Sequence, residues 1–180
     1  MTNNLGAARG RFAAENRACS ELPQIFLHAG QHYVATSPTL LKMILGSCAG
    51  VFLFDPILAI GGATHYMLPH HGSGHASARY GDIAIPDLMG RLLGLGSDRR
   101  NLKAKLFGGG SMLSALREMP GSHVGHIGQR NVDVANELLA EASIPIVEHN
   151  TLGNRGRSVG MVSNTGEITL EFISQADGHR

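Results

Sequence analysis

The sequence predicts a single mixed α/β or α+β domain, and three observations carry that prediction. The first is composition: 180 residues with 43% hydrophobic and 16% charged side chains suit a globular core and not a disordered chain. A domain of this size buries roughly 70% of the surface its unfolded chain exposes. The second is patterning, because apolar runs of strand length recur along the chain and two segments of helical periodicity interrupt them. The third is the 24 glycines, which cluster in turns without a collagen-like period. Strands outnumber helices, there is no internal repeat, and periodicity alone leaves the layer order open.

Residues 1–23 are polar, rich in Ala, Asn and Arg, and lack strand alternation, so they read as a flexible extension ahead of one domain spanning 24–175. Regular structure is expected to begin at Ile25-Phe26-Leu27-His28, with a short second strand at Tyr33-Val34-Ala35. Leu40 to Leu45 and Ala49 to Phe54 are apolar runs interrupted by Gly46-Ser47. After Asp55-Pro56 the chain returns as a strand through Ile60-Gly61-Gly62-Ala63-Thr64-His65-Tyr66-Met67-Leu68-Pro69. A glycine- and serine-bearing loop follows from His70 to Ala78. A helix is predicted from near Asp82, with Asp82 as N-cap, Pro86 about its first turn, and an apolar face of Leu88, Met89, Leu92, Leu93 and Leu95. Lys103 to Phe107 reads as a strand ending in Gly108-Gly109-Gly110, and Asn131 to Ala142 as a helix burying Val134, Leu138 and Leu139. Ile144 to Val147 is a further strand. Ser158 to Val162 and Ile168 to Phe172 flank Asn164-Thr165-Gly166, a hairpin signal because Asn and Gly tolerate positive φ.

Charge and cysteine content narrow the function. Fifteen Lys+Arg against fourteen Asp+Glu give a net charge of +1 with no basic stripe, which argues against a nucleic-acid partner. No stretch reaches the ~18 apolar residues of a membrane span, so no membrane insertion is expected. Met1 to Asn16 carries arginines but no apolar core, unlike a secretory signal. Cys19 and Cys48 do not make a disulfide framework, and a reducing cytoplasm is the expected setting.

The chemistry concentrates at Leu45-Gly46-Ser47-Cys48 and at His65, seventeen residues further on. A free thiol near pKa 8.5 is mostly protonated at neutral pH, and a neighbouring imidazole can take that proton and return it to a leaving amine. The bland alternatives are a small buried hydrophobe for Cys48 and a satisfied core histidine for His65. Phe107-Gly108-Gly109-Gly110-Ser111 lacks the Gly-Lys-Ser/Thr ending of a phosphate-binding loop, leaving a tight turn or a wall of the site. His70, His71 and His75 lack the spacing of common zinc sites, so no metal is expected there. Arg79, Tyr80 and Asp82 read as capping and surface pairing rather than substrate contacts. Gln129-Arg130-Asn131 fits a helix cap or a group that orients the site.

These residues resemble the CheD family, the chemoreceptor glutamine deamidases of bacterial chemotaxis. The resemblance runs in order through Leu45-Gly46-Ser47-Cys48, Phe54-Asp55-Pro56, Gly61 to Pro69, Arg79-Tyr80-Gly81-Asp82, Lys105 to Met112, Ile127-Gly128-Gln129-Arg130-Asn131, Ile144-Pro145-Ile146-Val147 and Gly156-Arg157. It implies a β-sandwich-like centre flanked by helices, similar to toxin-type glutamine deamidases. It also implies Cys48 as nucleophile and His65 as catalytic histidine, without a cofactor. The implied substrates are glutamines on the helical cytoplasmic region of methyl-accepting chemotaxis receptors, reached through a shallow cleft, with receptor methylesterase activity as an extension. A CheC-type phosphatase is the further implied partner, and a non-catalytic adaptor of that phosphatase is the competing reading. The family pattern carries a threonine five or six residues before the cysteine to orient the histidine. Here Met43 and Lys42 stand there, and neither accepts a hydrogen bond from an imidazole N–H. Reduced activity, or a backbone carbonyl in the threonine's place, is the expectation. Glu148 to Gly153 likewise departs from the family's acidic, double-glycine pattern.

Overall fold

The computed structural model describes residues 21–111 and 126–173. Among the described residues, two sheets and two helices form an α+β arrangement, as the composition and patterning predict. The first sheet contains β1 (Gln24–Phe26), β3 (Leu40–Leu45), β8 (Arg157–Val162) and β9 (Ile168–Phe172), in that order. The second contains β2 (Gln31–Ala35), β5 (Ile60–Tyr66), β4 (Ala49–Asp55), β6 (Lys103–Gly108) and β7 (Ile146–Thr151), in that order. The helices are α1 (Gly81–Gly94) and α2 (Ile127–Glu141). Residues 1–20 of the expected extension, Cys19 among them, and 174–175 of the expected domain lie outside the described residues.

Alternation along β4 and β5 divides the core into two layers. Phe52, Phe54 and Ala63 face the first sheet and pack with Leu41, Met43, Leu45, Val159 and Met161. Ala49, Val51, Leu53 and Tyr66 face the other way, onto Ala84, Ile85, Leu88 and Leu92 of α1 and Val132, Ala135 and Leu139 of α2. Every residue of β4 and β5 is therefore buried, which explains why both segments read as continuous apolar or small-residue runs. Both helices cover the second sheet, and the first sheet packs on its opposite face.

Several elements differ from the sequence reading for identifiable reasons. The break at Gly46-Ser47-Cys48 is a crossing between sheets, since β3 and β4 belong to different ones, while β4 and β5 form the expected antiparallel pair. The N-cap of α1 is Tyr80, not Asp82. Its first-turn N–H groups need no side-chain cap, because Gly81 N–H donates to the Leu68 carbonyl and Asp82 N–H to that of Pro69. The Asp82 carboxylate instead accepts the His71 N–H, at 2.9 and 3.0 Å. Pro86 lies in the second turn of α1, and Leu95 is the exposed C-cap instead of part of the apolar face. Helix α2 begins four residues earlier than Asn131, and β7 runs on to Thr151 through an exposed polar stretch that carries no apolar signal.

Phe52 is fully buried between the sheets and meets Phe107 edge to face, with ring centroids 5.8 Å apart. Phe52→Ala is expected to lose about 3–5 kcal/mol of stability, measured by urea unfolding, because the rigid sheets on both sides cannot collapse into the void.

Candidate active site

The β4–β5 register places Cys48 just before the strand that pairs with the one carrying His65. Gly50 pairs with His65 and Ala49 with Tyr66, and continuing that register sets Cys48 opposite Met67 and diagonal to His65. Diagonal neighbours sit about 7–8 Å apart and remain within reach of long side chains. Both residues project from one face. A Cβ on Gly50 would collide with the Met43 sulfur, so the face shared by residues 48, 50 and 65 looks toward the first sheet. Cys48 packs at the margin of the inter-sheet cluster and is half-buried, whereas Ser47 beside it is exposed.

His65 is buried, and its Nδ1 lies 3.0 Å from the Leu27 carbonyl oxygen. A carbonyl only accepts, so Nδ1 carries the proton and Nε2 presents its lone pair. Nε2 is buried and has no hydrogen-bond partner among the described residues. Desolvation pushes the imidazole below the usual histidine range; the Leu27 bond opposes this, and nearby His28 adds to it. Burial pushes the Cys48 thiol up, partly offset by its own backbone N–H. Each shift favours the neutral form, of the thiol and of the imidazole.

The orienting group is thus a backbone carbonyl. Leu41, Met43 and Leu45 point into the inter-sheet core, so Lys42 between them faces the outer side of the first sheet. The Thr39 hydroxyl donates to the Ser37 carbonyl, and that of Thr64 lies 3.5 Å from the Gln31 carbonyl. Sequence reasoning missed Leu27 because a main-chain oxygen belongs to every residue type and leaves no mark on composition.

The turn carrying Cys48 is held from three directions. Gly110 N–H donates to the Gly46 carbonyl at 2.7 Å, and Gly109 N–H to that of Cys48 at 2.8 Å. Asn131 Nδ2 donates to the Ser47 carbonyl at 3.0 Å and to that of Met67 at 2.8 Å. The glycine loop is therefore the backing of the Cys48 turn. It is itself held by Leu152 N–H on the Gly108 carbonyl and by Ser111 N–H on that of Gly153, 2.8 and 2.7 Å respectively. Buried Arg157 braces the segment behind it, donating to the carbonyls of Asn150, Leu152 and Arg155. A small cleft of roughly 100 Å³ adjoins the loop, lined by residues that include Ser111, His126, Gln129 and Gly153 but neither Cys48 nor His65.

The remaining motifs have structural partners. Among the described residues, no group of three His, Cys, Asp or Glu side chains is arranged to hold a metal ion. Tyr80 stacks edge-on against His71, and the Arg79 carbonyl accepts the N–H groups of Met67 and Leu68. No helix among the described residues is long and apolar enough to cross a membrane.

Fold and site define an α+β protein with a half-buried thiol on the turn that leads into β4 and a buried imidazole on β5, the strand paired with it. The chain belongs to the CheD family. Residues 67–172 match the family described as CheD chemotactic sensory transduction. The chain is 41% identical over 165 residues to a probable chemoreceptor glutamine deamidase CheD 1 of Anaeromyxobacter dehalogenans, covering 88% of this chain and 92% of the relative. It is 35% identical over 160 residues to a probable chemoreceptor glutamine deamidase CheD of Sulfurimonas denitrificans, covering 87% and 99%. A Neisseria meningitidis protein of the DUF152 family, NMB0706, superimposes with a TM-score of 0.47 at 11% identity, over 84% of this chain and 72% of its own.

Gly108 has φ +99°, and a Cβ there would strike the Cys48 carbonyl oxygen. Gly108→Ala is expected to cost at least about 1–3 kcal/mol in chemical denaturation, the usual price of a side chain in a left-handed backbone region, with the steric clash in addition.

Proposed function

We propose that this protein deamidates glutamine side chains of methyl-accepting chemotaxis receptors, with Cys48 as nucleophile and His65 as general base and acid. The observation that carries the mechanism is the fixed tautomer of His65: Leu27 holds the Nδ1 proton, leaving an unpartnered Nε2 lone pair on the face that Cys48 shares. The names of the CheD relatives support the substrate class.

Nε2 takes the Sγ proton as sulfur attacks the carboxamide carbon, giving a tetrahedral oxyanion. The imidazolium then gives its proton to the departing nitrogen, and ammonia leaves a thioester. Water, deprotonated by the same Nε2, opens the thioester to glutamate and restores the thiol. The oxyanion is stabilised by backbone N–H groups of the turn. In a trans, planar peptide the N–H points opposite the carbonyl. The Gly46 and Ser47 carbonyls are tied to Gly110 and Asn131, so the N–H groups of Ser47 and Cys48 point away from those anchors. Such donors are set before the charge develops and act without reorganisation, and losing one typically costs ~3 kcal/mol of barrier.

The reaction replaces a neutral amide with a carboxylate, which creates a methylation site and adds negative charge to the receptor helix. The same nucleophile also opens a glutamyl methyl ester, where an alcohol replaces ammonia as leaving group. Half-buried Cys48 beside exposed Ser47 fits a substrate presented on a helix surface. A CheC-type phosphatase is the second partner proposed.

Purified receptor incubated with wild-type protein is expected to gain glutamate at specific glutamines, read by mass spectrometry, and Cys48→Ala to give none. His65→Ala is expected to lose about 10²- to 10⁴-fold in rate. Equal conversion by wild type and Cys48→Ala would remove Cys48 as nucleophile, and no conversion by either would favour the adaptor role. Because burial lowers the His65 pKa and the base form is the active one, activity is expected to hold through pH 6.5 and fall only at lower pH. An acid limb centred above the ordinary histidine value would contradict a neutral resting pair.

A further inference from the structure

We propose that Asn131 is the positioning residue of this site, its carboxamide stapling the Cys48 turn to the strand that carries His65. The inference rests on the Cys48–His65 reading above and adds a part that reading does not require. Asn131 lies on α2 and is fully buried. Both protons of its Nδ2 are used, one on the Ser47 carbonyl and one on the Met67 carbonyl. Those carbonyls precede Cys48 by one residue and follow His65 by two. They lie just beyond Ala49 and Tyr66, the last pair of the β4–β5 ladder at that end. The amide spans the gap where the strands cease to hold one another. A second tie secures the staple, because Tyr66 Oη donates to the Asn131 main-chain carbonyl at 2.5 Å.

The side chain suits a fixed geometry better than it suits stability. Its Oδ1 is buried without a hydrogen-bond partner among the described residues, a cost that any residue used only to fill space would avoid. The two donors on one nitrogen are what the position uses. A carboxylate supplies none, a hydroxyl supplies one, and a glutamine sets the nitrogen a methylene further out. The Gly109 and Gly110 bonds fix the turn to the end of β6; among the described residues, Asn131 is the side chain that ties it to the segment just after β5. Removing the staple frees Cys48 to move relative to His65 while leaving the thiol, the imidazole and the Leu27 bond in place.

The test compares Asn131→Leu, of similar size and without donors, and the smaller Asn131→Ala with wild type and with Val134→Ala. Val134 is a buried apolar residue of the same helix, outside the site. Receptor deamidation is measured with melting temperature, and Cys48 alkylation by iodoacetamide is followed across pH by peptide mass spectrometry. Both Asn131 variants are expected to lose about 10- to 100-fold in kcat with KM within about threefold, the signature of misplaced reacting groups. Val134→Ala is expected to lose melting temperature without that loss of kcat. In wild type the alkylation profile should carry an inflection below pH 6.5 that His65→Ala abolishes, and the Asn131 variants should lose it too. Asn131 variants that keep the wild-type kcat and inflection would overturn the staple alone. Losses of kcat that track melting temperature equally in Val134→Ala would overturn it as well, by showing a merely structural role. A wild-type profile without the inflection, or conversion by Cys48→Ala at the wild-type rate, would instead remove the underlying Cys48–His65 reading, and the staple with it.

Discussion

The register between β4 and β5 is the constraint on which the site depends. Both strands are buried on both faces, one face against the first sheet and the other against the helices. A slip of one residue would turn Phe52 and Phe54 toward α1 and drive Val51 and Leu53 into the inter-sheet space, exchanging every packed side chain at once. Packing of this extent leaves a single pairing, in which Gly50 opposes His65. The relation of thiol to imidazole is thus fixed by the core, and it is expressed at the margin where β4 begins.

That margin reconciles two opposing demands. On the function proposed, the nucleophile must meet a protein substrate, yet the base that activates it works best where water does not compete for its lone pair. Ser47 stands exposed and Cys48 half-buried where the chain passes from one sheet to the other, and His65 is buried on β5. Burial disfavours the charged form of each partner, raising the thiol and lowering the imidazole. A resting ion pair would require the opposite shifts. On the mechanism proposed above, charge develops as sulfur attacks, when the turn's N–H groups are already oriented to receive it.

Much of this was legible in the sequence, and what was not has a common cause. The two apolar runs around Gly46-Ser47-Cys48, the returning strand with His65 and the β8–β9 hairpin follow from side-chain patterns, and they stand where the patterns put them. The misses lie where backbone groups do the work. Asp82 carries the side chain of an N-cap, but the Leu68 and Pro69 carbonyls had already satisfied the first turn of α1. The polar residues Glu148 to Asn150 lie on β7, an edge strand of the second sheet, where largely exposed positions need no apolar alternation. The separation of β3 and β4 into different sheets is a tertiary fact that no local pattern encodes. Asn131 was legible as a polar residue near a helix start; its two carbonyl partners, 84 and 64 residues away in sequence, were not.

Lys42 belongs to the same account. A threonine hydroxyl both donates and accepts, so its bond to a histidine fixes the tautomer only when the rest of its surroundings decide the direction of the proton. A carbonyl accepts only, and the Leu27 oxygen by itself assigns the Nδ1 proton and frees Nε2. Leu27 is held in turn by its own N–H, which donates to the Lys42 carbonyl at 2.8 Å, so position 42 still supports the histidine, through its main chain. Any residue with a backbone oxygen can fill that role, which relieves the side chain at 42 of any part in orienting the imidazole and leaves it to face outward from β3. On this geometry a substitution at 42 perturbs the site only if it displaces β3, whereas a shift of the Leu27 main chain would reach the imidazole directly.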